Sequence, residues 1–279
     1  MRYIFTALRA EAAALIKDLN LKQTDFPIPC YENENTVLAV TGTGPLSASA
    51  ACGAVLATRP HSNHDIVINA GIAASCRGGV RDCMYAVHKI HDLSSGRDYY
   101  PDLIPAASLT EASLITGAKP YVSDMSVLPD RNEPVILYDP VVLYDMEGSA
   151  IMHAASVFLA PHRIRILKLV SDFGDETQLR FDSRWAQMIS DAVQHEASAM
   201  ESLQGRPEKI LPDIEALAED LHASVAMKRR LEQAVRYAQL AGIDMHALEA
   251  AYRRDGLLPA ADRQAGKLVL ERLIYDLQD

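Results

Sequence analysis

The chain has 279 residues, of which 49% are hydrophobic, and a formal net charge of −10. That length suits one large domain with a smaller appendage, and the apolar share is enough for a sizeable core. An acidic chain without a clustered Lys/Arg surface excludes a general nucleic-acid binder, since a phosphate backbone needs a concentrated positive face, but leaves a nucleoside open as a small ligand.

Tyr3 to Leu8 reads as a buried strand and Ala10 to Leu19 as an Ala-rich helix, which places Glu11 in the first helical turn just beyond a strand's carboxyl end. The opening residues are too short for a secretory core and run directly into Arg9 and Glu11. Pro29 to Tyr31 and Thr36 to Thr41 flank the turn-rich Glu32-Asn33-Glu34-Asn35, which predicts a hairpin. Gly42 and Gly44 break the second of these strands, and Pro45 suits the first turn of a helix running to about Thr58. Such a βα unit lets backbone N–H groups approach an anion or a sugar, although a tight turn without a ligand explains Thr41-Gly42-Thr43-Gly44 as well.

Asp65 to Ala70 is a second buried strand ending at Gly71. Strands are further expected at Met84 to Ile90, Pro120 to Ser123, Pro134 to Leu137 and Arg163 to Val170, with helices at about Glu147 to Leu159 and Arg184 to Leu203. Interleaved strands and helices predict an α/β domain with a parallel or mixed sheet over residues 1–205. Residues 206–279 change character: helical patterns from Pro212 onward, broken near Gly242 and at Gly256 to Pro259, predict a three- or four-helix appendage. Lys228-Arg229-Arg230 reads as a solvated helix face.

The four cysteines, Cys30, Cys52, Cys76 and Cys83, show no C-x-x-C spacing, so neither a zinc site nor a disulfide framework is indicated, and a reducing cytoplasm is the simplest home. No run approaches the length that crosses a bilayer, so no membrane partner is expected. His88 and His91 fall on opposite faces of a strand and cannot share a metal. The polar, aromatic stretch Ser94 to Asp102 reads as a surface loop with the composition to close over a ligand.

Two acids stand at element ends: Glu147 in Tyr144-Asp145-Met146-Glu147-Gly148-Ser149-Ala150, opening a helix, and Asp172 in Leu169-Val170-Ser171-Asp172-Phe173-Gly174-Asp175, closing a strand. Open α/β sheets place chemistry at such ends. Capping accounts for either acid taken singly, because a carboxylate is stabilised at a helix N-terminus with no ligand present.

Taken with Ala7-Leu8-Arg9-Ala10-Glu11, Thr41-Gly42-Thr43-Gly44 and Asn69-Ala70-Gly71-Ile72-Ala73, these segments resemble the purine nucleoside phosphorylase and nucleosidase superfamily. The nearest likeness is to methylthioadenosine/S-adenosylhomocysteine nucleosidases and futalosine hydrolases. The resemblance runs in order over about residues 1 to 205. It implies a three-layer phosphorylase-like domain with a central mixed sheet flanked by helices, here carrying a small all-helical C-terminal appendage. It implies cleavage of a purine N-glycosidic bond, with no cofactor, in a homo-oligomer whose Ser94 to Asp102 loop reaches the 5′ side of the ligand, in places from a neighbouring subunit.

The resemblance also assigns roles. Asp172, oriented by Ser171, protonates the purine at N7; Glu147 receives the ribose hydroxyls with Met146 packed against the sugar; Glu11 activates the attacking water; Gly44 and Gly71 line the substrate. Tyr121 or Met125 would stack on the base. Glu11 separates hydrolysis from phosphorolysis: Arg9 could hold phosphate, but the Ile68 to Ile72 strand end lacks the second arginine that phosphorylases of this superfamily usually carry. Hydrolysis is favoured, and a phosphorylase or a catalytically silent nucleoside-binding module are the alternatives. The Gly71 to Ser75 segment departs from the pattern, with Ile72 where a hydroxyl residue is common.

Overall fold

In a computed structural model the chain divides into two compact units, Met1–Gln204 and Gly205–Asp279. The residues described are 1–59, 61–62, 64–104, 107–123, 139–175, 180–202, 214–241 and 243–277. Met125 and the strand expected at 134–137 lie outside them.

Unit one begins with β1 (Arg2–Thr6), α1 (Arg9–Asp18), β2 (Lys22–Gln23), β3 (Cys30–Glu32), β4 (Thr36–Val40) and α2 (Pro45–Ala57). It continues through β5 (Ile66–Arg77), β6 (Met84–Asp92), β7 (Arg97–Tyr99), β8 (Thr110–Thr116), β9 (Val142–Asp145), α3 (Gly148–Ala155), β10 (Ile164–Asp172) and α4 (Ser183–Ser202). The sheet is mixed. β1 lies parallel between β4 and β5, and β5 is parallel to β10 but antiparallel to β9. Because β10 also pairs with β6, and β8 joins β6 to β9, the strands β5, β10, β6, β8 and β9 close into a ring.

Helices cover both faces, which is why the central strands read as nearly unbroken apolar runs. Tyr3, Phe5, Ile166 and Val170 point to the side of α2 and α3 with Val55 and Ile151. Their neighbours Ile4, Leu167 and Leu169 point to the side of α1 and α4 with Leu15, Trp185 and Ile189. The period-two alternation along β1 and β10 thus feeds two cores from one strand.

Several elements differ from expectation. β5 does not stop at Ala70 but runs on to Arg77, because the small residues after Gly71 are paired by β10 on one side and by β9 on the other. Residues 120–123 are not a strand; Ser123 N–H donates to the Gly174 carbonyl at 2.9 Å, so this segment is laid across the turn after β10. β8 was hidden by its exposed start, Thr110-Glu111, and β9 by its four-residue length; both exist through pairing with strands distant in sequence.

Unit two holds α5 (Ile214–Asp220), α6 (Val225–Ala241), α7 (Met245–Arg254) and α8 (Arg263–Asp276) around Leu217, Leu221, Leu231, Val235, Tyr252, Leu270 and Leu273. Asp244 and Asp262 cap α7 and α8 through two backbone N–H groups each. No helix among the described residues is long and apolar enough to cross a membrane.

Candidate active site

Glu11 stands in the first turn of α1, immediately past the carboxyl end of β1, and is 1% exposed. One carboxylate oxygen accepts the Leu8 N–H at 2.8 Å, which caps the helix; the other accepts the Ile72 N–H from β5 at 2.9 Å. The capping reading holds for one oxygen, while the other ties α1 to the middle of β5. A Cβ on Gly71 would sit 2.7 Å from Glu11 Oε1, so glycine is what lets β5 approach. Ile72 contributes through its main chain, and a hydroxyl side chain there is not needed for this bond. Burial pushes the Glu11 carboxyl above its ordinary value, opposed by the Ile72 and Leu8 N–H groups and the nearby Lys168 charge.

Glu147 occupies the N-cap position of α3 without capping it. That task falls to Asp145, whose Oδ2 accepts the Gly148 N–H at 2.7 Å. Glu147 instead accepts the Gly44 N–H at 2.7 Å, reaching across to the start of α2, where Gly44 adopts φ +94°. This conformation is inexpensive only for glycine. Met146, half-buried, separates the two acids.

Between the carboxylates stands Lys168, from the middle of β10 and paired in register with Gly71. Its Nζ lies 2.8 Å from Asp145 Oδ2, with both side chains buried. The Thr116 hydroxyl donates to Asp145 Oδ1 at 2.7 Å and accepts the Ser149 N–H at 3.0 Å, completing the acid's shell. Burial alone would lower the Lys168 pKa, but the charges of Asp145, Glu147 and Glu11 outweigh it and hold the ammonium above its usual value. Glu147 is driven up to about 7, first by burial and then by Asp145, with Glu11 adding to the repulsion and Lys168 and the Gly44 amide opposing it. Three carboxylates around one cation leave an excess of negative charge, and a proton on Glu147 relieves it.

Asp172 ends β10 after a bulge between Val170 and Asp172. Ser171 Oγ donates to its Oδ2 at 2.7 Å, and the Gly174 N–H donates to Oδ1 at 2.8 Å. Gly174, at φ +74°, is shielded by the Tyr121 ring, with which an added Cβ would clash. Tyr121 also packs on Tyr144 at 5.3 Å between centroids. Beside them the half-buried Cys76 thiol is pushed up to about 11 by burial, with Asp172's charge acting in the same direction. Asp172 is thus a fixed carboxylate with an aromatic wall nearby. It also shapes the following turn, as its capping reading requires.

The remaining candidates separate. His88 faces Glu111 and Asp139, whereas His91 Nδ1 lies 2.7 Å from Asp98 Oδ1 in β7. Among the described residues no group of His, Cys, Asp and Glu could hold a metal ion. In the Ser94 to Asp102 stretch, Tyr99 is tied to His153 of α3 at 3.3 Å. Arg9 lies over the Tyr31 ring at 4.9 Å. Sequence reasoning missed Lys168, Asp145 and Thr116. A lysine inside the apolar run Ile164 to Val170 was the available signal, since a fully buried lysine requires a charged partner.

No family model matches the sequence, and a search of curated proteins gives no relative. Solved structures do match. A methylthioadenosine/S-adenosylhomocysteine nucleosidase from Neisseria meningitidis, in complex with methylthio-immucillin-A, aligns at TM-score 0.51 and 18% identity over 71% of this chain and 95% of that one. The corresponding nucleosidase of Chlamydia trachomatis gives 0.53 and 21% over 71% and 98%. The Arabidopsis thaliana methylthioadenosine nucleosidase in its apo form gives 0.55 and 18% over 74% and 96%. About three quarters of the chain has the nucleosidase fold, as the sequence resemblance implied for residues 1 to 205.

Proposed function

We propose that unit one hydrolyses the N-glycosidic bond of a purine nucleoside, releasing free base and a ribose derivative. The observation that carries this reading is that Glu11 and Glu147, both buried, act electrostatically on the same buried cation, Lys168 of mid-β10, past the carboxyl end of β1. Burying two carboxylates that repel one another costs stability, and binding a substrate that becomes cationic recovers it. Departure of the base builds positive charge on the sugar, as in glycoside hydrolysis generally. Glu147, anchored by Gly44, has an oxygen to receive ribose hydroxyls and offset that charge. Glu11, held by Leu8 and Ile72, takes the proton of the attacking water. Asp172, oriented by Ser171 and Gly174, takes up a proton from water and passes it to N7 of the leaving purine, so that the base departs neutral and the carboxylate is restored.

Hydrolysis is favoured over phosphorolysis by the setting of Arg9, which is stacked on Tyr31, and by the absence of any arginine between Ile68 and Ile72. Four unpaired thiols suit a reducing cytoplasm, and a homo-oligomer in which the Ser94 to Asp102 stretch closes the 5′ side accords with the reading. The test is incubation of the purified protein with methylthioadenosine, S-adenosylhomocysteine, adenosine, inosine and futalosine, with and without phosphate, monitoring free base. Release independent of phosphate is expected. Phosphate-dependent release would make the protein a phosphorylase, and binding without release would make it a nucleoside-binding module.

A further inference from the structure

The pairing of β1 with β5 stops before either neighbour of these strands gives out. It runs in register from Arg2 opposite Ile66 to Phe5 opposite Asn69, whereas β1 and β4 stay paired one residue further, to Thr6 opposite Val40. β5 itself continues to Arg77, with β10 alongside it as far as Ala74. The two strands therefore fork just past Asn69. Glu11 fills the fork: the Ile72 N–H, which lies beyond the reach of the β1 pairing, donates to Glu11 Oε1 at 2.9 Å.

Asn69 stands at the branch point and is 2% exposed. Its Nδ2 donates to the Phe5 carbonyl at 3.0 Å. A continued parallel ladder would spend that carbonyl on a main-chain N–H of β5, so the side chain takes the place of the next rung and ends the ladder there. Because a carbonyl only accepts, the amide nitrogen must face β1 and Oδ1 must face the interior. Oδ1 is buried without a hydrogen bond from the protein. An unmet buried acceptor costs stability, and an aliphatic side chain like those of the flanking Val67 and Ile68 would avoid that cost. Such conflicts between local preference and structure are expected where a site requires the residue.

The residue also lies on the face that matters. Val67 and Ala73 of β5 and Ile166 and Val170 of β10 belong to the core on the side of α2 and α3. By the period of two, Asn69, Gly71 and Lys168 lie on that side as well. Gly71 is the residue against which Glu11 Oε1 rests, and Lys168 is its partner in register. Asn69 is one side-chain step down the strand from both.

We infer that Asn69 is a positioning residue for the hydrolysis proposed above: by ending the β1–β5 ladder at Phe5 it opens the fork that admits the Glu11 carboxylate to the Ile72 N–H and aims it at the attacking water. Without the amide, the Phe5 carbonyl turns to the main chain of β5, the fork narrows and Glu11 loses its second anchor. The catalytic consequence rests on the hydrolytic reading, but the placement of Glu11 is measurable without any substrate.

The experiment compares wild type with Asn69→Leu, which removes both amide groups at nearly constant shape, and with the smaller Asn69→Ala should leucine not fold. The carboxyl carbon of Glu11 is titrated by NMR, its signal identified by its loss in Glu11→Gln. In the variants it should titrate at higher pH than in wild type, because the Ile72 N–H holds it down. With a nucleoside that wild type cleaves, kcat should fall by about 10–100-fold, a part of what a positioned base supplies, with KM nearly unchanged and the acidic limb of the pH–rate profile moved upward. A residue that only supports the fold would lower the melting temperature and leave both the titration and that limb in place. An unmoved Glu11 titration in a folded variant overturns the inference, and so does a raised KM with kcat retained, which would make Asn69 a substrate contact. If wild type releases no base from any nucleoside, hydrolysis fails as the function, and the Glu11 titration by itself upholds or overturns the role of Asn69.

Discussion

Replacing Lys168 with methionine removes the cation that faces Asp145, Glu147 and Glu11 in a buried cluster while keeping most of the side-chain volume. At the observed 2.8 Å from Asp145, an effective dielectric constant of about 20 gives an attraction of about 6 kcal/mol. The cost of desolvating both charges offsets much of this, so the pair as a whole contributes little. Deleting one partner strands the other, at a cost of about 3–5 kcal/mol. For a unit of this size the thermal midpoint should fall by about 6–20 °C. Lys168→Met/Asp145→Asn, with neither charge present, should recover most of that loss; urea titration of the four members of the cycle measures the coupling. If the single variant loses under about 1 kcal/mol, or the double variant is worse than the single, the charge-pair argument is wrong. The same substitution should lift the Glu147 and Glu11 carboxyls further and move the acidic limb of any pH–rate profile upward, because Lys168 lowers both.

Glu147, raised to about 7 in the folded protein, must be ionised to receive ribose hydroxyls, so kcat/KM should rise with pH through neutrality. Stability should run the other way: the folded chain holds a proton that the unfolded chain has released, so this contribution is full below the ordinary glutamate value and is lost as pH climbs through 7. Melting curves of wild type and Glu147→Gln between acid and neutral pH compare the two slopes, and the variant should be the flatter. Gly71→Ala sets a methyl 2.7 Å from Glu11 Oε1 and should cost about 1–3 kcal/mol, as overpacking does, together with turnover. Asp172→Asn keeps the Gly174 turn but cannot deliver the proton, and should reduce kcat by about 10²–10⁴-fold with the melting temperature nearly unchanged. An equal loss of stability would instead reduce Asp172 to a turn-forming residue.

The chain by itself determined what depends on neighbours in sequence. Apolar runs marked β1, β5, β6 and β10, Pro45 and the glycines before it marked the start of α2, and the break pattern after Pro212 marked the helices of unit two. The acids Glu11, Glu147 and Asp172 stood out as candidates because each stands where one periodicity gives way to another. Strand pairing alone decided the rest. The β5–β10 register sets Lys168 opposite Gly71, and β9 brings Asp145 to that lysine from a part of the chain more than twenty residues away. The division of labour at α3, with Asp145 capping and Glu147 released to reach Gly44, is likewise invisible locally, since two acids two residues apart are equally able to cap. Local propensity acts over a few residues, whereas register and burial are set by contacts between distant strands, and here those contacts assign each buried charge its partner.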